Sequence, residues 1–410
     1  MSVIEGGGPS GASTLEWTRA EVIRTSASFA IGIGLIIGAF VLSATSNGDS
    51  TKPFSLLLGA GVGLVFERGR FCFFCIFRES IEERKTTGLL SVITALAVGA
   101  IGHAVVFGLY LPNPKGEGLP PSAHISPVSE PLVIGALAFG LGMALSGACI
   151  SGHLYRLGQG YLRAIPALVG SLVGFGLGFI TWNTLYLDFI SERSSWWLPR
   201  WFGYGGSLVL VLFVLGVAAF GLARVDRTPA DEKSVKYVAS TGWEGALRNP
   251  WRPVSTGALV GGLGVLAYFR LDPLGVTSQL STWSRTFMDG RELLPEVMNG
   301  IDMMTGCVGV VTSAITNNGW LVIGIVGASL ASALSSGRFR PSRPTLGNSV
   351  TALLGGVLMG WGSMTALGCT VGNLLSGVQS FAVSGIVFGL AAFVGVLIGV
   401  KLRLHRLFGG

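Results

Sequence analysis

Charge is what this 410-residue chain has least of: only 12% of it is Asp, Glu, Lys or Arg, against roughly 25% in an ordinary soluble domain. Half the residues are hydrophobic and the mean hydropathy is +0.63. So little polar surface cannot clothe the two or three soluble domains that the length would otherwise suggest. Cytosolic-enzyme, disordered and collagen-like classes are therefore excluded. Cysteine is scarce as well. The five present (Cys72, Cys75, Cys149, Cys307 and Cys369) lie in or beside apolar segments, which excludes a secreted disulfide framework. No GxxxxGK[ST] loop occurs, so a nucleotide-driven pump within the chain is excluded too. Acidic residues stand mostly outside the apolar runs, and no buried proton relay is visible. The net charge of +7 sits mainly in short segments between those runs, as expected of membrane topogenic loops and not of a nucleic-acid surface.

Glycine, by contrast, is abundant. Sixty-three glycines spread through apolar runs fit helices packed closely in a bilayer. The fold class read from this is an all-α polytopic membrane protein. A span needs about 20 apolar residues, which gives about ten: 26–45, 54–66, 89–111, 131–149, 165–187, 205–223, 254–269, 319–334, 348–368 and 381–400. Two shorter apolar pieces, 71–77 and 303–316, read as re-entrant half-helices. The first run reads as a retained anchor, since no small-residue cleavage site precedes it. Cations gather in 67–88, 224–252, 335–347 and the tail, whereas 112–130 and 188–204 have few. That asymmetry predicts both termini on the cytoplasmic side of a cell inner membrane. The expected organisation is a cytoplasmic segment 1–25, a first half 26–223, a linker 224–253 and a second half 254–410.

The halves repeat. Residues 135–154, GALAFGLGMALSGACISGHL, align at an offset of 220 with residues 355–374, GGVLMGWGSMTALGCTVGNL. Gly135, Gly140, Gly142, Cys149, Gly152 and Leu154 meet Gly355, Gly360, Gly362, Cys369, Gly372 and Leu374. The expected topology sends the two copies in opposite directions, the arrangement of inverted-repeat transporters with sites on interrupted helices.

Each copy ends in small residue–Cys–x–x–Gly, at Cys149 to Gly152 and Cys369 to Gly372. Glycine permits a left-handed break, and a half-helix starting there aims free N–H groups at an anion. The expectation is that Cys149 and Cys369 face one another along a shared axis from opposite sides of the midplane. His153 and Asn373 follow four residues on, on the same helical faces, and both can donate hydrogen bonds. A free cysteine is equally a small buried hydrophobe, and Cys307, without a repeat partner, reads that way. The run Glu67–Cys75 holds Arg68 and Arg70 beside a Cys-x-x-Cys. Zinc needs four ligands and no second pair is suitably spaced; no metal or other cofactor is expected. Cys72 or Cys75 then serves as a further path-lining thiol or as packing.

The motifs RGRFCFF, SGACISGH and ALGCTVGNLLSG, with their inverted repeat, resemble the YeeE/YedE family of sulfur-compound permeases. The resemblance implies an hourglass-shaped transporter, not an enzyme, that takes up thiosulfate or a related sulfur or selenium oxyanion. It implies Cys72, Cys149 and Cys369 as a relay acting through S–H hydrogen bonds. From the residues themselves, Arg70, Gly152, His153, Gly372 and Asn373 are expected along the same path. It also implies a small TusA-like sulfurtransferase as a cytoplasmic partner, besides the membrane lipid. Two other readings use the same residues: a membrane sulfurtransferase forming a cysteine persulfide, and a general small-anion channel in which the cysteines only pack.

Overall fold

The computed structural model describes residues 19–45, 49–116, 118–226, 249–304, 306 and 308–407. An apolar run of membrane length must satisfy its backbone internally, and helices do so. Among the described residues the long elements are α1 (Arg19–Thr45), α2 (Thr51–Gly69), α4 (Thr87–Tyr110), α5 (Glu130–Ser146), α7 (Ala164–Leu185), α8 (Pro199–Val225), α9 (Pro253–Arg270), α11 (Asn317–Ser335), α12 (Leu346–Thr365) and α13 (Val383–Lys401). The short ones are α3 (Phe73–Glu82), α6 (Ile150–Gly158), α10 (Ser278–Asp289) and a π-helical segment, Thr370–Gly377. The chain is an all-α polytopic membrane protein.

Every expected span is a helix, but by length and composition seven stretches qualify as crossings, or eight if α12 and the π segment, bent by 43°, count as one. α2 and α9 fall short of that measure. Glycine and serine dilute both, and α2 carries Lys52, Glu67 and Arg68 near its ends. The expected half-helix at 71–77 is α3. At 303–316 the expectation fails: the described residues beyond the short turn Ile301–Met303 are non-helical. That segment is a strap laid along α10, where Gly309 N–H donates to Ser281 Oγ at 3.0 Å and Thr312 N–H to Thr286 Oγ1 at 3.1 Å. The helix of this region is α10 itself, whose polar sequence, SQLSTWSRTFMD, gives no hydropathy signal.

The packing has two-fold character. α2 packs on α11 as α9 packs on α4, and α12 on α7 as α5 on α13. α8 lies on α4 much as α1 lies on α11, and both outer helices present apolar side chains such as Phe40 and Phe213 outward, as lipid-facing helices do. At the centre α5 and α12 pack on each other. A Cβ at Gly142 would stand 2.6 Å from the Gly355 carbonyl oxygen, and one at Gly355 would stand 2.7 Å from that of Gly142. Gly135 and Gly362 oppose each other's carbonyls in the same way. Residue numbers rise on one helix as they fall on the other, so the matched helices are antiparallel, as an inverted repeat requires.

Glycine here is a distance requirement, since only backbones without Cβ come this close. Gly142→Val is expected to lower the melting temperature of the detergent-purified protein by several degrees, through overpacking of about 1–3 kcal/mol. Gly216→Val, with open space around it, is expected to leave it unchanged.

Candidate functional site

Two spans are broken, each at a cysteine. α5 ends at Gly147, whose φ is 85°, and Cys149 then caps α6 with its Sγ accepting from Gly152 N–H at 3.3 Å. Breaking a helix strands its last carbonyls, and side chains recover them. Arg156 Nη1 donates to Gly147 O at 3.1 Å, Ser146 Oγ to Ala148 O at 3.0 Å and Arg163 Nη2 to Leu145 O at 3.3 Å. The second break matches at the same offset. Leu367, with φ 58°, stands where Gly147 does, and Cys369 caps the π segment in extended conformation. Asn373 Nδ2 donates to Ala366 O at 2.6 Å, so that this side chain closes its own break.

Cys72 is the N-cap of α3. Its Sγ lies 4.0 Å from Cys149 Sγ, and Cys149 Sγ lies 3.2 Å from Ser151 Oγ. Gly152 makes the pairing possible, because a Cβ there would stand 2.8 Å from Cys72 Sγ. Three buried thiols thus sit on three helix N-caps. Symmetry puts the counterpart of Cys72 at the N-cap of α10, where Thr277 stands, buried. His153 is buried; its N–H donates to Cys149 O at 2.9 Å, and its Nε2 has no partner. Cys75 is half-buried and accepts from Arg156 Nη2 at 2.8 Å. Cys307 lies outside the described residues.

The end of α5 before Cys149 lies beside Gly355, and the end of α12 before Cys369 lies beside Gly135. About 16 Å of helix separates these two ends of the crossing at 1.5 Å per residue. Cys149 joins Cys72 at one end; at the other, the His124 ring rests against Gly372, with Cε1 3.1 Å from where its Cβ would be.

A cavity adjoins each break, at Arg156 and at Leu367. One, of about 670 Å³, is lined by Arg70, Arg78, Lys85, Arg156, Arg338 and Arg340, with Cys75, Tyr155 and a single carboxylate, Glu79. Arg70 stands exposed at its rim with φ 50°. The other, of about 330 Å³, is lined by uncharged residues including Ser122, Ser126, Met303, Met304 and Leu367. Behind the cationic wall Glu67 is wholly buried, accepting from Gln159 Nε2 at 3.1 Å and Arg338 Nη2 at 3.2 Å, and from Ser332 Oγ. It ties α2, the end of α6, α11 and the loop after α11 together.

Sequence reasoning missed Arg156, Arg163, His124 and Thr277. Arg156 left a signal: it follows Cys149 by seven residues and His153 by three, on one helical face. The loop Pro120–Ser129 gives none, because burial of a non-helical segment such as Ala123–Pro127 is not written in hydropathy.

The chain is similar to known transport proteins. The family model described as sulphur transport matches residues 68–398. The thiosulfate transporter TsuA of Spirochaeta thermophila is 29% identical over 356 residues, which is 80% of this chain and 92% of that protein. TsuA of Escherichia coli is 27% identical, with 78% of this chain and 85% of that protein covered. The probable transporter YedE of Escherichia coli is 30% identical over 178 residues, 42% of this chain and 41% of that protein.

Removing Glu67 strands the buried Arg68 and the partly buried Arg338. Glu67→Ala is expected to destabilise the purified protein by about 3 kcal/mol. Glu67→Gln, which keeps the hydrogen-bonding shape, is expected to cost less. Thermal unfolding in detergent reads the order of the two.

Proposed function

Because the chain belongs to the sulphur-transport family, the YeeE/YedE group, we propose that it takes up thiosulfate, or a closely related sulfur or selenium oxyanion, across the inner membrane along a thiol-lined path. The name shared by two of its relatives, thiosulfate transporter, supports the substrate class. The observation that carries the reading is the pair of thiols, Cys72 and Cys149, 4.0 Å apart at two helix N-caps.

A dianion enters apolar surroundings only where its lost hydration is replaced. Helix N-termini supply N–H groups without a fixed counter-charge. Thiols add weak donors, and weak sites suit passage, since conduction needs groups that release. In this reading the ion passes from the uncharged cavity to Cys369, on to Cys149 and Cys72, and leaves among the cations around Arg156 and Arg340. Among the described residues, six cations at one mouth and none at the other support a cytoplasmic cationic side, with both termini on it. There the released ion would meet a TusA-like sulfurtransferase.

Uptake of radiolabelled thiosulfate by cells lacking other thiosulfate carriers tests the path. Cys149→Ala and Cys369→Ala are each expected to cut the rate by about tenfold or more at wild-type membrane levels, the cost of one lost hydrogen bond to a charged ligand. Cys75→Ala is expected to retain most of it. Near-normal uptake by both of the first two variants would remove the thiols from the path.

A further inference from the structure

Among the described residues, the inverted repeat leaves the uncharged end one thiol short. At the other end Gly152 is pressed by Cys72 Sγ. At its repeat partner, Gly372, the atoms nearest to where a Cβ would stand are those of the His124 ring, and Thr277 is not among them. We propose that His124 is a substrate-contacting residue, the first hydrogen-bond donor that the sulfur oxyanion meets on its way from the uncharged cavity to Cys369. This rests on the thiosulfate reading and deepens it.

The placement argues for contact rather than packing. His124 comes from the loop between α4 and α5, and its neighbours Ala123 and Ile125 line the uncharged cavity together with Leu367. The imidazole lies just behind that wall, with Cε1 3.4 Å from the Cβ position of Gly306 and Nε2 4.0 Å from that of Gly275. Gly372 clears space on one side of the ring, and Gly306 and Gly275 lie within ordinary contact of it. The edge facing Gly372 carries both nitrogens, Nε2 at 3.4 Å and Nδ1 at 3.7 Å from the same point. The side chain is 5% exposed, and Nδ1 has no hydrogen-bond partner. An unpaired buried nitrogen beside a helix N-terminus is costly unless a ligand completes it.

Burial also holds the imidazole pKa down, at about 4. At neutral pH the ring is therefore uncharged, and one nitrogen bears a proton to donate. A neutral donor stabilises an oxyanion without pinning it, as the thiols do. The loop 120–129 thereby supplies at the uncharged end what Cys72 supplies at the cationic end.

The test is thiosulfate uptake by the full chain in proteoliposomes, with KM and maximal rate measured separately. His124→Phe keeps a ring and removes both nitrogens; it is expected to raise KM about tenfold or more with little change in maximal rate. His124→Gln keeps a donor and is expected to stay within about threefold of the wild type. Should His124→Phe fail to fold, the thiosulfate-induced rise in melting temperature, compared between His124→Gln and His124→Ala, gives the same ranking. Unchanged KM in His124→Phe, or a fall in maximal rate alone, would overturn the assignment of His124 and leave the thiosulfate reading intact. Absence of uptake by the unaltered protein would overturn both.

Discussion

A helix can be interrupted within an apolar interior only if the backbone groups it abandons find new partners. The rest of this molecule depends on how that requirement is met. At the first break two guanidinium groups and a serine hydroxyl reach three stranded carbonyls, while a cysteine sulfur takes one free N–H. At the second an asparagine amide reaches Ala366 O. Single side chains therefore serve two neighbours. Cys149 caps α6 and meets the Cys72 sulfur, and Arg156 holds both a carbonyl and the Cys75 sulfur.

Such breaks stay in register because the helices around them are locked at backbone distance. Gly59 and Gly63 of α2 lie on Leu321 and Ile325 of α11, and Gly257 and Gly261 of α9 lie on Ser91 and Ala95 of α4. In both pairs the glycines are four apart, which sets them on one face. The apolar side chains thereby freed face outward, as on α1 and α8. Composition, packing and membrane setting are thus one constraint seen at three scales: glycine is spent where helices meet, and bulk goes where lipid lies.

This is why so much of the fold was legible in the sequence. Long apolar runs announced every long helix, and the 220-residue offset announced the two-fold through Cys149 and Cys369. What stayed hidden obeys no apolar period. α10 is polar because its hydroxyls bind the strap that follows it, so nothing in its composition marks a helix lodged in a membrane protein. Thr277 shared no motif with Cys72, for symmetry preserved the position and changed the residue, and His124 comes from the loop between α4 and α5. The spacing of the ends of α5 and α12 was equally unreadable, since offset gives equivalence and not distance. Only the reciprocal approach of Gly135 to Gly362 and Gly142 to Gly355 reveals that a packed crossing lies between those ends.

The breaks differ in one further respect. Gly147 takes up its left-handed turn freely, whereas Leu367 holds φ 58° with a branched side chain, at about 1–2 kcal/mol of backbone strain. That same leucine forms part of the wall of the uncharged cavity, and its carbonyl bears on Gly306. The backbone strain of the second break is therefore held in a residue that lines a cavity, where the first break carries none.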